Sequence, residues 1–366
     1  MVIKTNICDL FNIKYPIVQA AMGPYITTKL SAAVSNAGGL GCVSHTGTLG
    51  LLKERAPDMY ELATTQYRHL VPPDMMEGPL AMSTLDEMRK EKSLTEGPFA
   101  INVRVAQEQV DAPILIDAII DERKQDSELE RKLTTIITSA GNPALFTEKM
   151  KKVGLTVVHV VPSVYHALKA EKSGCDAVVA SGHEAGGHVA WDPVHTSVLT
   201  PAVSEAVKIP VLSAGGWGDG RGLVAALALG AGAIYMGTRF IATKESDFGQ
   251  GYKEAIVKAS ERDTVVTAGS FGPMRVLKNK YASQLQEVLD SVTGSFQSKF
   301  ENPDVMKAKH VPYSTSYVYG ESENSPVLTG EVQGLIEDIP TVKELIEKIM
   351  REAEEIIAKK LPSFLA

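Results

Sequence analysis

The sequence predicts an α/β protein, a (β/α)8 TIM barrel with an inserted segment after its second strand and a C-terminal, mostly helical extension that caps one end. Three observations predict it. Eight short β-rich runs read as continuous apolar stretches rather than alternating ones, the signature of strands buried on both faces of a parallel sheet. Helical patterns follow most of them. The eight strand–helix units together occupy roughly 260 residues, the length of such a barrel.

In chain order the strand runs are Ile17–Ala20, Leu40–Ser44, Phe99–Val103, Thr134–Ser139, Thr156–Val161, Ala177–Ala180, Pro210–Ser213 and Ala233–Met236. The helical segments include Thr28–Ala37, Ala144–Lys152, Val164–Ser173, Ser197–Val207 and Gly220–Leu229. The same alternation also permits a doubly wound open sheet; strand count and length favour the barrel. Two segments fall outside the repeat. Residues 46–97 join the second and third strands, hold Pro57, Pro72 and Pro73 with Pro98 directly after, and carry Tyr60 and Tyr67 among mixed charges. A connection this long in a compact domain is usually a functional elaboration. Residues 261–366 follow the 1–260 barrel, and their last helix, Thr341–Lys360, sets Val342, Leu345, Ile346, Ile349, Ala353, Ile356 and Ile357 on one face. The two segments together are expected to cap one end of the barrel.

Composition narrows the function. An apolar fraction of 44% and a charged fraction of 22% are those of a globular protein. The net charge of −7 argues against nucleic acid or an anionic membrane as partner. The three cysteines, Cys8, Cys42 and Cys175, form no C-x-x-C pair, and the odd count suits reduced thiols, which places the expected location in the cytoplasm. Residues 1–11 carry Lys4 and Asp9 and lack the apolar core of a signal peptide. The longest uncharged run, between Arg221 and Arg239, is broken by Gly230-Ala231-Gly232, so it reads as helix, turn and strand rather than a membrane span. The expected partner is a small-molecule substrate, and a homodimer is compatible with this reading.

Barrel enzymes keep their chemistry at the C-terminal strand ends. The sixth strand empties into Ser181-Gly182-His183-Glu184-Ala185-Gly186-Gly187-His188. Gly186 and Gly187 lack Cβ atoms, which lets a flat ligand lie against the backbone. His188 adds the side chain best able to move a proton near neutral pH. The seventh strand ends in Ala214-Gly215-Gly216-Trp217-Gly218-Asp219-Gly220 and the eighth in Gly237-Thr238-Arg239. Gly215, Gly216 and Gly218 would let backbone N–H groups converge on a phosphate, with Gly237 and Thr238 adding an N–H and a hydroxyl. A tight βα turn explains the first motif alone equally well; the pair at this spacing points to a phosphate-bearing cofactor. His183 reads as a substrate contact or an exposed loop residue, and His159 as a barrel-mouth contact or a core histidine. No metal is expected. His183 and His188 stand five apart, whereas the helical zinc pattern needs four, and Gly186-Gly187 discourages a helix.

At these residues the chain resembles the FMN-dependent nitronate monooxygenases, formerly 2-nitropropane dioxygenases, a group that includes FMN-dependent enoyl-acyl-carrier-protein reductases. The resemblance runs nearly end to end: Pro16–Gly23, Ser35–Gly41, Ala140-Gly141-Asn142-Pro143, Glu184–His188, Leu212–Gly216 with Asp219-Gly220-Arg221, Met236–Phe240 and Gln333-Gly334-Leu335-Ile336. It implies an FMN-dependent oxidoreductase. Ala21, Met22 and Gly23 would lie against the isoalloxazine ring, with Asn102 bonding it from the third strand. Ser181 and Gly186, beside Gly187, would contact it from the sixth. Gly216 with Tyr235, Met236, Gly237 and Thr238 would hold phosphate and ribityl, and His188 matches the proposed catalytic histidine. Many relatives carry Gln where Ser181 stands, and His183 fills a variable position. The implied reaction is oxidation of an alkyl nitronate by O2 to a carbonyl compound and nitrite. An NAD(P)H-dependent reductase of an enoyl thioester or quinone fits the same flavin site, and a non-catalytic FMN-binding protein is the remaining alternative.

Overall fold

The computed structural model describes residues 3–66, 81–107, 109–269, 272–309 and 313–365. Eight parallel strands form one sheet: β1 (Ile17–Gln19), β2 (Gly41–Val43), β3 (Phe99–Val105), β4 (Leu133–Gly141), β5 (Thr156–Val161), β6 (Ala177–Ser181), β8 (Val211–Ala214) and β9 (Ala233–Met236). They run in the order β1-β9-β8-β6-β5-β4-β3-β2. A parallel bridge, Val18 to Leu40, brings the ends of that sheet together as a barrel. All eight predicted strands are present, within about two residues at their ends.

Closure between β1 and β2 is the sparsest seam. The Gln19 backbone N–H donates to the Leu40 carbonyl at 2.9 Å, and the Leu40 N–H donates to Ile17 at 3.1 Å. The Gln19 side chain continues the ladder: its Nε2 donates to the Cys42 carbonyl at 2.9 Å and its Oε1 accepts from the Cys42 N–H at 3.3 Å. A buried amide thus substitutes for the strand residue that β1, three residues long, does not supply.

The helices pack outside the barrel. Thr28–Asn36, Val164–Lys172, Thr196–Ala206 and Gly220–Ala228 match the predicted segments closely. The predicted helix over 144–152 divides into a short 3-10 turn, Pro143–Leu145, and a helix, Thr147–Lys151. The segment 46–97 is only partly an insertion. Helix Thr84–Leu94, capped by the Ser83 hydroxyl, carries Leu85 and Met88 into the same core as Val43 and Phe99. It is the crossover helix between β2 and β3, missed in the sequence because its polar residues outnumber its apolar ones. The additional material is helices Thr48–Arg55 and Pro57–Thr65; Tyr67, Pro72 and Pro73 lie outside the described residues.

The C-terminal extension is helical for much of its length but also contains two strands. Strands β10 (Thr264–Ala268) and β11 (Pro273–Leu277) form an antiparallel pair, and β11 also pairs with β7, the two residues Gly187–His188 of the barrel loop. The last helix, Val342–Glu355, begins with a capping box made by Thr341 and Glu344. Its apolar face, Val342, Leu345, Ile346, Ile349 and Met350, packs with Leu30, Val34 and Leu223 on the barrel's flank rather than over its mouth. Gly220 makes that close packing possible, since a Cβ there would meet the backbone of Ala353 at 2.6 Å. Among the described residues no helix is long and apolar enough to cross a membrane.

Replacing Gln19 by Leu keeps the volume but strands the buried N–H and one acceptor bond of Cys42, each costing about 1–3 kcal/mol. Urea denaturation of Gln19→Leu should show a stability loss of about 2–4 kcal/mol at an unchanged m-value.

Candidate active site

A cavity of about 540 Å³ lies at the C-terminal ends of the strands. Ala21, Met22, Gly23, Asn102, Ser181, Gly186, Gly187, His188, Gly215, Gly216, Tyr235, Met236, Gly237 and Thr238 all line it. Three other candidates do not. Gly218 faces the C-terminal segment, where a Cβ would meet the Val332 side chain at 2.9 Å. The His183 ring lies edge-on to His195, with centroids 5.3 Å apart. His159 is buried on β5, its Nδ1 2.8 Å from the Thr138 hydroxyl.

His188 is presented by strand pairing. Opposite it on β11 is Met274, and opposite Gly187 is Arg275. Arg275 is buried and clamps the loop: its Nε and Nη2 donate to the His183 carbonyl at 3.1 and 2.9 Å, and its Nη1 donates to the Thr264 hydroxyl at 2.9 Å. A Glu331 carboxylate 3.1 Å away balances its charge. His188 is exposed to the cavity. The protein around that cavity and, in smaller part, the charge of Arg104 lower its pKa to about 4, so the imidazole is neutral at pH 7.

The opposite wall is made of backbone. Gly215 and Gly216 have φ of 99° and 83°, where glycine alone sits without strain. A Cβ on Gly187 would meet nothing within 4 Å, one on Gly216 only the Glu184 Cβ at 3.7 Å, and one on Gly237 only the Ala20 Cβ at 3.5 Å. The space that side chains would fill therefore belongs to the cavity. Around it, hydrogen bonds are already assigned. Ala21 N–H donates to the Tyr235 hydroxyl at 2.8 Å, and Met22 N–H to the Ser44 hydroxyl at 2.9 Å. Asn102 Nδ2 donates to the Ile137 carbonyl at 2.8 Å and the Ser139 hydroxyl at 3.1 Å, which leaves its Oδ1 as the acceptor for a ligand. The start of helix Gly220–Ala228 is occupied, with Asp219 accepting from Gly222 N–H at 3.0 Å and Glu352 from Gly220 N–H at 3.1 Å. An anion at this end would rely on Gly215-Gly216 and Gly237-Thr238 instead. Thr238 accepts from the Gly330 N–H at 3.0 Å and keeps its hydroxyl proton to donate.

A family model described as nitronate monooxygenase matches residues 4–352. The chain belongs to the nitronate monooxygenase family. It is 30% identical over 374 residues to a probable nitronate monooxygenase of Staphylococcus saprophyticus, covering 98% of this chain and 99% of the other. It is also 30% identical to (3aS,4S,5R,7aS)-5-hydroxy-7a-methyl-1-oxo-octahydro-1H-indene-4-carboxyl-CoA dehydrogenase of Rhodococcus jostii, over 96% of each. The solved structure of FabK from Thermotoga maritima shares 35% identity and a TM-score of 0.78, covering 99% of this chain and 100% of that one. This family member is thus an oxidoreductase.

Several cavity residues of this family member escaped the sequence reading. Arg104 stands at the end of β3, which runs two residues beyond the predicted Val103. A charge closing an apolar strand run was the available signal. Tyr25, Phe248 and Tyr252 line the cavity as part of one aromatic cluster with Tyr317, the Tyr25 and Tyr317 rings stacked at 5.0 Å. Trp217 did not escape that reading: it stands in the glycine-rich turn that the sequence marks, and it lines the cavity while its Nε1 donates to the Ser213 hydroxyl at 2.8 Å. Trp191 lines it with its ring 4.8 Å from that of Phe300. Leu328, Gly330 and Val332 come from the C-terminal extension, too far along the chain for local pattern to assign.

His159 gives the acid limb of stability a specific test. Burial lowers its pKa from 6.5 to about 4, with the nearby His166 adding to the effect. The folded value lies below the unfolded one, so stability is whole above about pH 6.5 and is lost as pH falls towards 4. His159→Gln should flatten that loss by about 2 kcal/mol between pH 7 and pH 5, read from urea midpoints at the two values.

Proposed function

We propose that the protein binds FMN at the glycine-lined wall and oxidises alkyl nitronates with O2, releasing a carbonyl compound and nitrite. The observation that carries this is His188, held neutral at a cavity whose backbone leaves room for a flat ring at Gly216 and Gly237, and beside the histidine at Gly187. The family match and the staphylococcal relative support the nitronate as substrate. Bound FMN would supply the electron transfer and the reaction with oxygen. Gly215, Gly216, Gly237 and Thr238 would hold its phosphate and ribityl chain. Ala21, Met22, Gly23, Asn102, Ser181 and Gly186 would surround the ring.

The protein's own residues then have defined work. His188 is neutral, so one ring nitrogen donates to a nitronate oxygen while the other can accept a proton. A neutral nitroalkane presented to it would surrender its α-proton to that second nitrogen, inefficiently, because a base of pKa about 4 is weak. The preformed nitronate needs no such step. The pairing of the Gly187–His188 strand with β11 and the Arg275 clamp behind it fix the backbone that carries the ring.

A second reading, reduction of an enoyl thioester with NAD(P)H, is supported by the 35% identity to FabK and by the CoA thioester in the Rhodococcus relative's name. The exposed Trp191 and Phe296, packed with Phe300 beside the cavity, offer an apolar shelf to a long acyl chain.

The purified protein should be yellow, and anaerobic mixing separates the readings: bleaching by ethylnitronate alone supports the first, bleaching by NADH or NADPH alone the second. Absence of flavin after added FMN overturns both. His188→Ala should retain FMN and lose turnover by about 10²-fold or more; full activity removes His188 from the chemistry.

A further inference from the structure

We infer that Arg104 forms an oxyanion subsite beside His188, so that the enzyme selects substrates carrying a planar negative group rather than neutral ones. The inference rests on the proposed placement of substrate against His188 and adds a recognition residue to it.

Among the described residues that line the cavity, those with a formal charge are Arg104 and Glu184. The Glu184 carboxylate is directed away, accepting from the Thr196 N–H at 2.9 Å and the Thr196 hydroxyl at 2.7 Å at the start of helix Thr196–Ala206. An anion entering the cavity therefore meets the guanidinium of Arg104, whose charge also reaches His188.

The wall behind Arg104 is built for it. The Arg104 backbone N–H donates to His45 Nδ1 at 3.0 Å, which requires that nitrogen to be unprotonated. The His45 proton then sits on Nε2 and points at Asp111 Oδ2, 3.2 Å away. Both side chains are fully buried. Burial would raise the pKa of Asp111, but its interactions with His45, Gln109 and Thr48 outweigh it and hold the carboxylate below its usual range. Burial lowers the pKa of Arg104, opposed by Asp111 and Tyr313, yet a guanidinium starts so high that it stays charged at pH 7. Asp111 thus orients His45, which holds the Arg104 backbone at the cavity wall, and its charge favours the protonated guanidinium. A guanidinium presents N–H donors in a flat fork, which matches two oxygens held in one plane, as in a nitronate or a nitrate ion. An enoyl thioester has no such group at its reacting end.

The test uses the protein as purified, with nitrate as a non-reacting probe and ethylnitronate as substrate. Both tryptophans of the chain, Trp191 and Trp217, line the cavity, so their fluorescence reports nitrate binding without turnover. Wild type should bind nitrate saturably. Arg104→Met should weaken nitrate binding and raise KM for ethylnitronate, each by about tenfold or more, the equivalent of at least ~1.4 kcal/mol, with flavin content unchanged and KM for neutral nitroethane little altered. Arg104→Lys should recover part of the loss, as a point charge without the fork. If wild type binds no nitrate, or Arg104→Met binds nitrate and nitronate as wild type does, the subsite is wrong. If nitrate binds through Arg104 but no nitronate is turned over, the subsite stands and the nitronate reaction falls.

Discussion

The seam between β1 and β2 is the constraint on which the site depends. A parallel sheet has no hairpins to align it, so its C-terminal ends converge on one rim only if the first and last strands meet. Here the meeting is thin, one bridge between Val18 and Leu40, and it is completed by the side-chain amide of Gln19 on both backbone groups of Cys42. The residues immediately past that seam, Ala21 to Gly23, are cavity wall. Their amides are in turn fixed by Tyr235 at the end of β9 and by Ser44 past the end of β2. Closure and site geometry are therefore one hydrogen-bond system. A barrel open at this seam would lose the floor of its cavity before it lost its core.

The second dependency runs from the C-terminal extension into the same cavity. Two residues, Gly187 and His188, serve as the third strand of a sheet whose other strands lie about eighty residues further on. Arg275 holds the His183 carbonyl, and Glu331, which balances Arg275, also donates its own N–H to the Glu184 carbonyl at 3.0 Å. One residue earlier, Gly330 bonds Thr238 at the opposite wall. A single short stretch of the extension thus touches both the histidine loop and the glycine end. Gly186 is the condition for that approach, because a Cβ there would meet Thr329 at 2.5 Å. Its role is close backbone packing against the extension, while open space beside the backbone belongs to Gly187 and Gly216.

Much of this was legible in the residues. Strands buried on both faces write themselves as apolar runs, so all eight barrel strands could be located, and the glycine-rich ends that follow β6, β8 and β9 marked the rim. What escaped has a common physical cause. Helix Thr84–Leu94 buries Glu87 and Glu91 alongside Leu85 and Met88, hydrogen-bonding its carboxylates to Thr28, Thr46 and Ser31. Its inner face is thus partly polar, and hydrophobic periodicity has nothing to detect. The β7–β11 pairing is a contact between distant segments of which one is two residues long. Gly218 looked like its neighbours Gly215 and Gly216, yet it answers to Val332. Arg104 ends the apolar run of β3, so hydrophobicity marks it as a boundary, although it is the one charge of that strand and lines the barrel mouth.

The cavity's electrostatics follow from these placements together. A histidine in a cavity near a guanidinium is harder to protonate, since desolvation by the surrounding protein and the neighbouring cation both oppose the imidazolium. In the proposed complex an anion between the two would lie beside the Arg104 guanidinium, and the neutral ring would contribute a hydrogen bond without bringing a second positive charge into a confined space. A positively charged His188 would bind an anion more tightly but would have no lone pair left to receive a proton. In the proposed reaction, a charge kept on Arg104 and a neutral, hydrogen-bonding His188 would divide anion binding from any proton exchange between two side chains. On that reading the clamping of the His188 loop by a sheet and an ion pair serves the hydrogen-bonding ring, whereas Arg104 grows directly from the end of a barrel strand. The charge needs only to be near the substrate, but the proton-exchanging nitrogen has to be within hydrogen-bond reach of it.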